Sequence, residues 1–138
     1  MTNKVVVAGG SGLVGSALVH KLMDQKYDVV LLTRDPKRIA TQNHLKPVYW
    51  DGHTIGDWAV ELESAKAVIN LCGANVSEGR WTQERKTLIQ RSRTDSLNTL
   101  TQACVRSPAP PKALISASAV GYYGDRDPKL TITETTKP

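Results

Sequence analysis

Four apolar residues, Val5-Val6-Val7-Ala8, run directly into Gly9-Gly10-Ser11-Gly12-Leu13-Val14-Gly15, and an amphipathic stretch then continues to about Lys26. That order calls for a strand, a sharp turn and a helix in succession. Gly10, Gly12 and Gly15 fit the spacing G-x-G-x-x-G, and Gly9, Gly12 and Gly15 fit its variant G-x-x-G-x-x-G. Glycine serves three physical needs here. The chain must turn tightly, its backbone must approach a pyrophosphate with no Cβ in the way, and the helix must sit close to the strand. The helix start then presents unpaired N–H groups and a partial positive charge to phosphate. A Walker-type phosphate loop is excluded, because no Gly-Lys-Ser/Thr follows. Gly9, Ser11, Gly12, Leu13, Val14 and Gly15 are the first candidates for contact with a dinucleotide.

The rest of the chain repeats the same alternation. Strands are expected at 4–8, 28–33, 46–50, 67–71 and 112–117, and helices at 13–26, 36–41, 55–63 and 82–106. Most of these strands are apolar throughout, as strands covered on both faces must be. Strict alternation implies right-handed crossovers and an α/β fold, a doubly wound parallel sheet of order 3-2-1-4-5. Pro108-Ala109-Pro110-Pro111 reads as a stiff connector into the fifth strand. Beyond that strand comes a polar, threonine-rich tail, and a sheet of this type usually adds a further strand to cover its edge. Residues 1–138 are therefore expected to be one incomplete domain, the N-terminal part of a longer protein.

Composition removes several function classes. Charged residues are 22% and apolar residues 40% of the 138, so the chain can build a core and wholesale disorder is not expected. The longest apolar runs span four residues, too short for a membrane, and no signal peptide is legible. Cys72 and Cys104 lie far apart, with no metal-ligand spacing around them, which favours a reducing cytoplasm over a disulfide framework. A net charge of +5 suits an anionic partner. The few aromatics are not interleaved with the cations, which argues against nucleic acid. Nothing in the pattern fixes an oligomeric state.

The second strand ends Thr33-Arg34-Asp35-Pro36. A carboxylate at this strand tip would bind a ribose 2′-hydroxyl and select NAD. Asp35 before Pro36 also reads as a helix N-cap, which would leave Thr33 and Arg34 at the tip. Arginine there would meet a 2′-phosphate with paired donors, so NADP is favoured over NAD.

In the 82–106 helix, Ile89, Leu97, Leu100 and Cys104 form an apolar stripe, and Arg93 falls within it. A buried guanidinium needs an anionic partner. A ligand phosphate and a structural pair with Asp51 or Asp35 are both open. Five cations between residues 80 and 93 read mostly as a solvated face. Ser116 and Ser118 close the fifth strand at the carboxyl edge, where Ser118 is the candidate to hold a reacting oxygen. No G-x-S-x-G marks it as a nucleophile. His20, His44 and His53 read as surface or loop residues.

These residues resemble the extended short-chain dehydrogenase/reductase superfamily, in its nucleoside-diphosphate-sugar epimerase-like branch. The carriers are the glycine loop, Thr33-Arg34, Trp50-Asp51-Gly52, Val68-Ile69-Asn70-Leu71-Cys72-Gly73, Gly79-Arg80-Trp81, Ser92-Arg93 and the run from Ser116 to Asp125. The resemblance implies a Rossmann domain, with a separate C-terminal substrate domain. It implies NADP contacts from the glycine loop, Thr33-Arg34, Cys72-Gly73 and Arg93, and places Asp51 near the adenine. Ala8, Cys72 and Ala74-Asn75 depart from residues usual in relatives (threonine, alanine and Glu-Pro). The superfamily signature Tyr-x-x-x-Lys does not occur within these residues (Tyr27, Tyr49, Tyr122 and Tyr123 are followed four residues on by Leu31, His53, Arg126 and Asp127), and the resemblance implies that it falls beyond Pro138. The expectation is an NADP-dependent epimerase- or reductase-like protein acting by hydride transfer on a small, nucleotide-sugar-like substrate. The alternative is a non-catalytic module that binds NADP(H).

Overall fold

Strand residues that are apolar on both faces need cover on both faces, and the chain provides it. The computed structural model describes residues 3–138, the side chain of Val120 excepted. β1 (Lys4–Ala8), β2 (Asp28–Thr33), β3 (Leu45–Tyr49), β4 (Ala67–Asn70) and β5 (Leu114–Ser116) form one parallel sheet of order β3-β2-β1-β4-β5. This is the expected doubly wound, Rossmann-type order.

Alternation along the strands divides the core in two. Val5, Val7, Val29, Leu31 and Leu45 pack with Val19 of α1 (Leu13–Asp24) on one face. Val6, Ala8, Val30, Leu32 and Val68 pack on the other against Trp50, Trp58, Leu62, and Leu100 and Ala103 of α2 (Gln83–Arg106). No helix of the described residues is long and apolar enough to cross a membrane.

Two expected helices are shorter and tighter than the sequence suggests. The 36–41 segment is a single 3₁₀ turn at Pro36–Arg38, and the 55–63 segment is a 3₁₀ stretch at Asp57–Leu62. The second has a local cause. The indole N–H groups of Trp50 and Trp58 both donate to Thr54 O, at 3.1 and 2.9 Å, with ring centroids 5.0 Å apart. This pins the entry of the segment to the end of β3. On α2 the buried side chains are Ser96, Thr99, Leu100 and Ala103. Leu97 is 36% exposed and Arg93 is exposed, so the expected stripe is corrected: small hydroxyl residues, not Leu97 and Arg93, line the buried face.

Candidate functional site

Because all five strands are parallel, every residue just past a strand lies on one edge of the sheet. The glycine turn follows β1, Thr33-Arg34 close β2, Asp51 follows β3, Cys72-Gly73 follow β4 and Ser118 follows β5.

The glycines of the first turn do different work. Gly9 has φ +78°, and a β-carbon on it would stand 2.7 Å from the Leu71 carbonyl carbon. It is both the sharp turn and the close approach to the end of β4. A β-carbon on Gly15 would stand 2.4 Å from Gly9 O and 2.5 Å from Gly10 Cα, so Gly15 lets the helix touch the turn. Gly12 differs: its β-carbon would meet only Gly9 O, at 3.5 Å, and otherwise open space. Ser16 N–H makes the first bond of α1, to Gly12 O at 2.8 Å. The amides of Leu13, Val14 and Gly15 precede it, and the first turn carries no acidic side chain. Leu13 is 91% exposed and Ser11 and Val14 are also exposed, so the helix start is uncovered. Such an end favours an anion.

At the tip of β2, Asp35 turns to its own 3₁₀ turn. Its carboxylate pairs with Arg38 Nε at 2.9 Å and makes no cap hydrogen bond, while its N–H donates to Thr33 Oγ1 at 3.2 Å. Arg34 is exposed, and lies close enough to Cys72 for its charge to act on that thiol. Burial pushes the Cys72 thiol up to about 11, with Arg34 opposing.

Arg93 and Gly73 meet at the other end of the edge. A β-carbon on Gly73 would lie 2.8 Å from Arg93 Cζ. Arg93 Nη1 donates to Ala74 O at 3.2 Å and Ile89 O at 2.9 Å. Among the described residues it has no carboxylate partner, so the structural pair with Asp51 or Asp35 is not formed. Asp51 instead accepts from His53 N–H at 2.9 Å and Thr54 N–H at 2.8 Å. Partial burial works to raise its pKa, yet those bonds hold the carboxyl below its ordinary value. Its carboxylate is thus committed to the loop after β3. Ser118 is exposed two residues past β5, on the same edge, with no polar partner among the described residues.

The sequence reading missed the ties beneath this edge. Ser92 Oγ accepts from Ala74 N–H at 2.9 Å, Thr99 Oγ1 donates to His53 O at 2.9 Å, and buried Asn70 joins β4 to α2 and β5. The one signal was a polar residue in an apolar strand, Val68-Ile69-Asn70. Arg85 was read as one of the solvated cations, but its side chain is only 19% exposed and donates to Asn75 O. Of two surface clefts, one runs along β3 and is lined by Asp51 among others, the other lies beside the end of α2, and neither includes a residue of the glycine turn.

Parallel order, glycine turn and open helix start together define a Rossmann-type nucleotide-binding domain. Residues 5–138 match the model of the NAD dependent epimerase/dehydratase family, and the chain belongs to that family. It is 35% identical over 134 residues to an epimerase family protein of Staphylococcus haemolyticus, covering 96% of this chain and 42% of that protein. A human epimerase family protein solved with NADPH is 29% identical with a TM-score of 0.70, over 87% of this chain and 38% of that one. MoeE5, solved with UDP-glucuronic acid and NAD, shares the fold at 24% identity and TM-score 0.78, over 98% and 42% of the two chains. The chain thus spans about two fifths of the curated relatives it matches.

Proposed function

We propose that residues 1–138 form the NADP(H)-binding part of a longer epimerase- or reductase-like enzyme. One observation carries the reading: Gly12 faces open space in front of the free amides of α1. The short span relative to curated relatives supports a substrate domain outside these residues.

In this reading the pyrophosphate rests on the Gly9–Gly15 turn and the Leu13 and Val14 amides. Thr33 and Arg34 take the 2′-phosphate, a reading supported by the exposed Arg34 at the strand tip and by the Asp35 carboxylate turning toward Arg38. Cys72, Gly73 and Arg93 hold the nicotinamide half, Asp51 shapes the loop beside the adenine, and Ser118 hydrogen-bonds the reacting oxygen. The nicotinamide, when bound, supplies hydride acceptor or donor chemistry. The substrate class is a small hydroxyl- or carbonyl-bearing molecule of the nucleotide-sugar kind. The work is expected to be cytoplasmic, without nucleic acid or membrane.

Calorimetric titration of NADPH and NADH, with Arg34→Ala alongside, tests this. NADPH is expected to bind at least about tenfold more tightly, and Arg34→Ala to remove that preference. Equal affinities unaffected by the substitution overturn the NADP assignment. A second reading, a non-catalytic NADP(H)-binding module, would be favoured by the absence of a Tyr-x-x-x-Lys or a substitute acid from the sequence that follows Pro138 in the longer protein. A full-length protein that binds NADPH but exchanges no hydride with any sugar nucleotide would establish it.

A further inference from the structure

Asn70 is 3% exposed at the end of β4, and each of its polar atoms is used. Its Oδ1 accepts from Cys72 N–H at 3.1 Å, an interaction that orients Nδ2 toward two hydroxyl oxygens, both 3.4 Å away. One is Ser96 Oγ on α2, itself 1% exposed, which in turn donates to Arg93 O at 3.1 Å. The other is Ser116 Oγ at the end of β5, and Asn70 O accepts from Ala117 N–H at 3.0 Å. One buried amide thus joins the Cys72-Gly73 turn, the helical turn that carries Arg93, and the strand end that leads to Ser118. A buried polar group satisfied on every side fixes its neighbours more tightly than an apolar one of its size.

We propose that Asn70 is a positioning residue for the nicotinamide half of the bound dinucleotide. It sets the Cys72-Gly73 turn, Arg93 and Ser118 relative to one another without touching the ligand. This rests on the cofactor reading above. The adenine half, served by β1, β2 and β3, meets the junction only where Gly9 packs against Leu71 and Cys72.

Two variants separate this role from a packing role. Ser96→Ala removes one arm and leaves a void no larger than an oxygen atom, so the fold is kept. Asn70→Ala removes all the side-chain arms. Calorimetry on the 138-residue chain compares NADPH with adenosine 2′,5′-bisphosphate, which lacks the nicotinamide half. Both variants are expected to weaken NADPH by roughly fivefold and leave the bisphosphate unchanged. Hydrogen exchange at the Cys72 amide should quicken in Asn70→Ala, while Val5–Ala8 amides stay protected. Equal loss for both ligands, no loss for NADPH, or an unchanged Cys72 amide overturns the proposal. If the unaltered chain binds neither ligand, the cofactor reading fails first. The junction is then packing alone, and the positioning role is overturned with it.

Discussion

The guanidinium of Arg93 occupies the space a side chain on Gly73 would need, with Cζ 2.8 Å and Nη2 3.0 Å from the position of a β-carbon there. What a methyl group at residue 73 meets is the mobile end of a long side chain, not backbone. Gly73→Ala is therefore expected to fold normally and to displace Arg93. NADPH affinity should fall by about tenfold, as in Arg93→Ala, and the double variant should be no weaker than either single one. Additive losses in calorimetry would show that the two residues act separately.

Gly12 and Gly15 should fail in opposite ways when replaced by alanine. Gly15→Ala drives a β-carbon into Gly9 O and Gly10 Cα, and should cost about 2–3 kcal/mol of stability in urea unfolding. Gly12 has φ −77°, which alanine adopts readily, and its β-carbon meets no close contact. Gly12→Ala should leave the unfolding midpoint nearly unchanged and abolish measurable NADPH binding.

Asp51 makes stability depend on acid. Its folded pKa lies below the ordinary 3.8, so the stabilisation is complete above that value and is lost as pH falls through the lowered one. Asp51→Asn should melt at a lower temperature than the unaltered protein at pH 7. The gap should narrow steadily below about pH 4. A gap constant down to pH 3 would mean the carboxylate charge contributes nothing to the loop.

Cys72 should be a poor nucleophile despite its place at the carboxyl edge of the sheet. A thiol moved from 9.0 to about 11 carries about a hundredth of the usual thiolate at neutral pH. Iodoacetamide should accordingly label Cys72 about a hundredfold more slowly than a free thiol, and Cys104, which burial raises less, should react first. The same burial costs the folded state nothing while the thiol is neutral below pH 9.0, and stability falls as pH rises from there toward about 11.

The sheet order was legible because Val5–Ala8 and Val29–Leu32 are apolar on both faces and the glycine turn falls after the first strand. The glycine turn and the strand tips could be placed for the same reason, since parallel strands put their ends together. The register of α2 could be read only in part: Leu100 is buried as expected, and Leu97 and Arg93 are not. Ser96 and Thr99 look polar in a sequence, and bonds with Asn70, the Arg93 carbonyl and the His53 carbonyl make their burial possible. That error moved Arg93 into a buried stripe it does not occupy. The 55–63 segment misled for a related reason: its helical pattern is real, but two indole N–H groups converging on Thr54 O tighten it to a 3₁₀ stretch.

Ser92, Arg93, Ser96 and Thr99 each grip a different part of the carboxyl edge, namely Ala74 N, Ala74 O, Asn70 and His53 O. A helix advances by about 100° per residue. Deleting one residue between 93 and 96 would swing two of these four grips away from their partners while leaving length, charge and apolar content almost untouched. The stretch from 76 to 80, by contrast, can change length without rotating any of them. The angular phase of α2 is therefore what any redesign of this edge must keep.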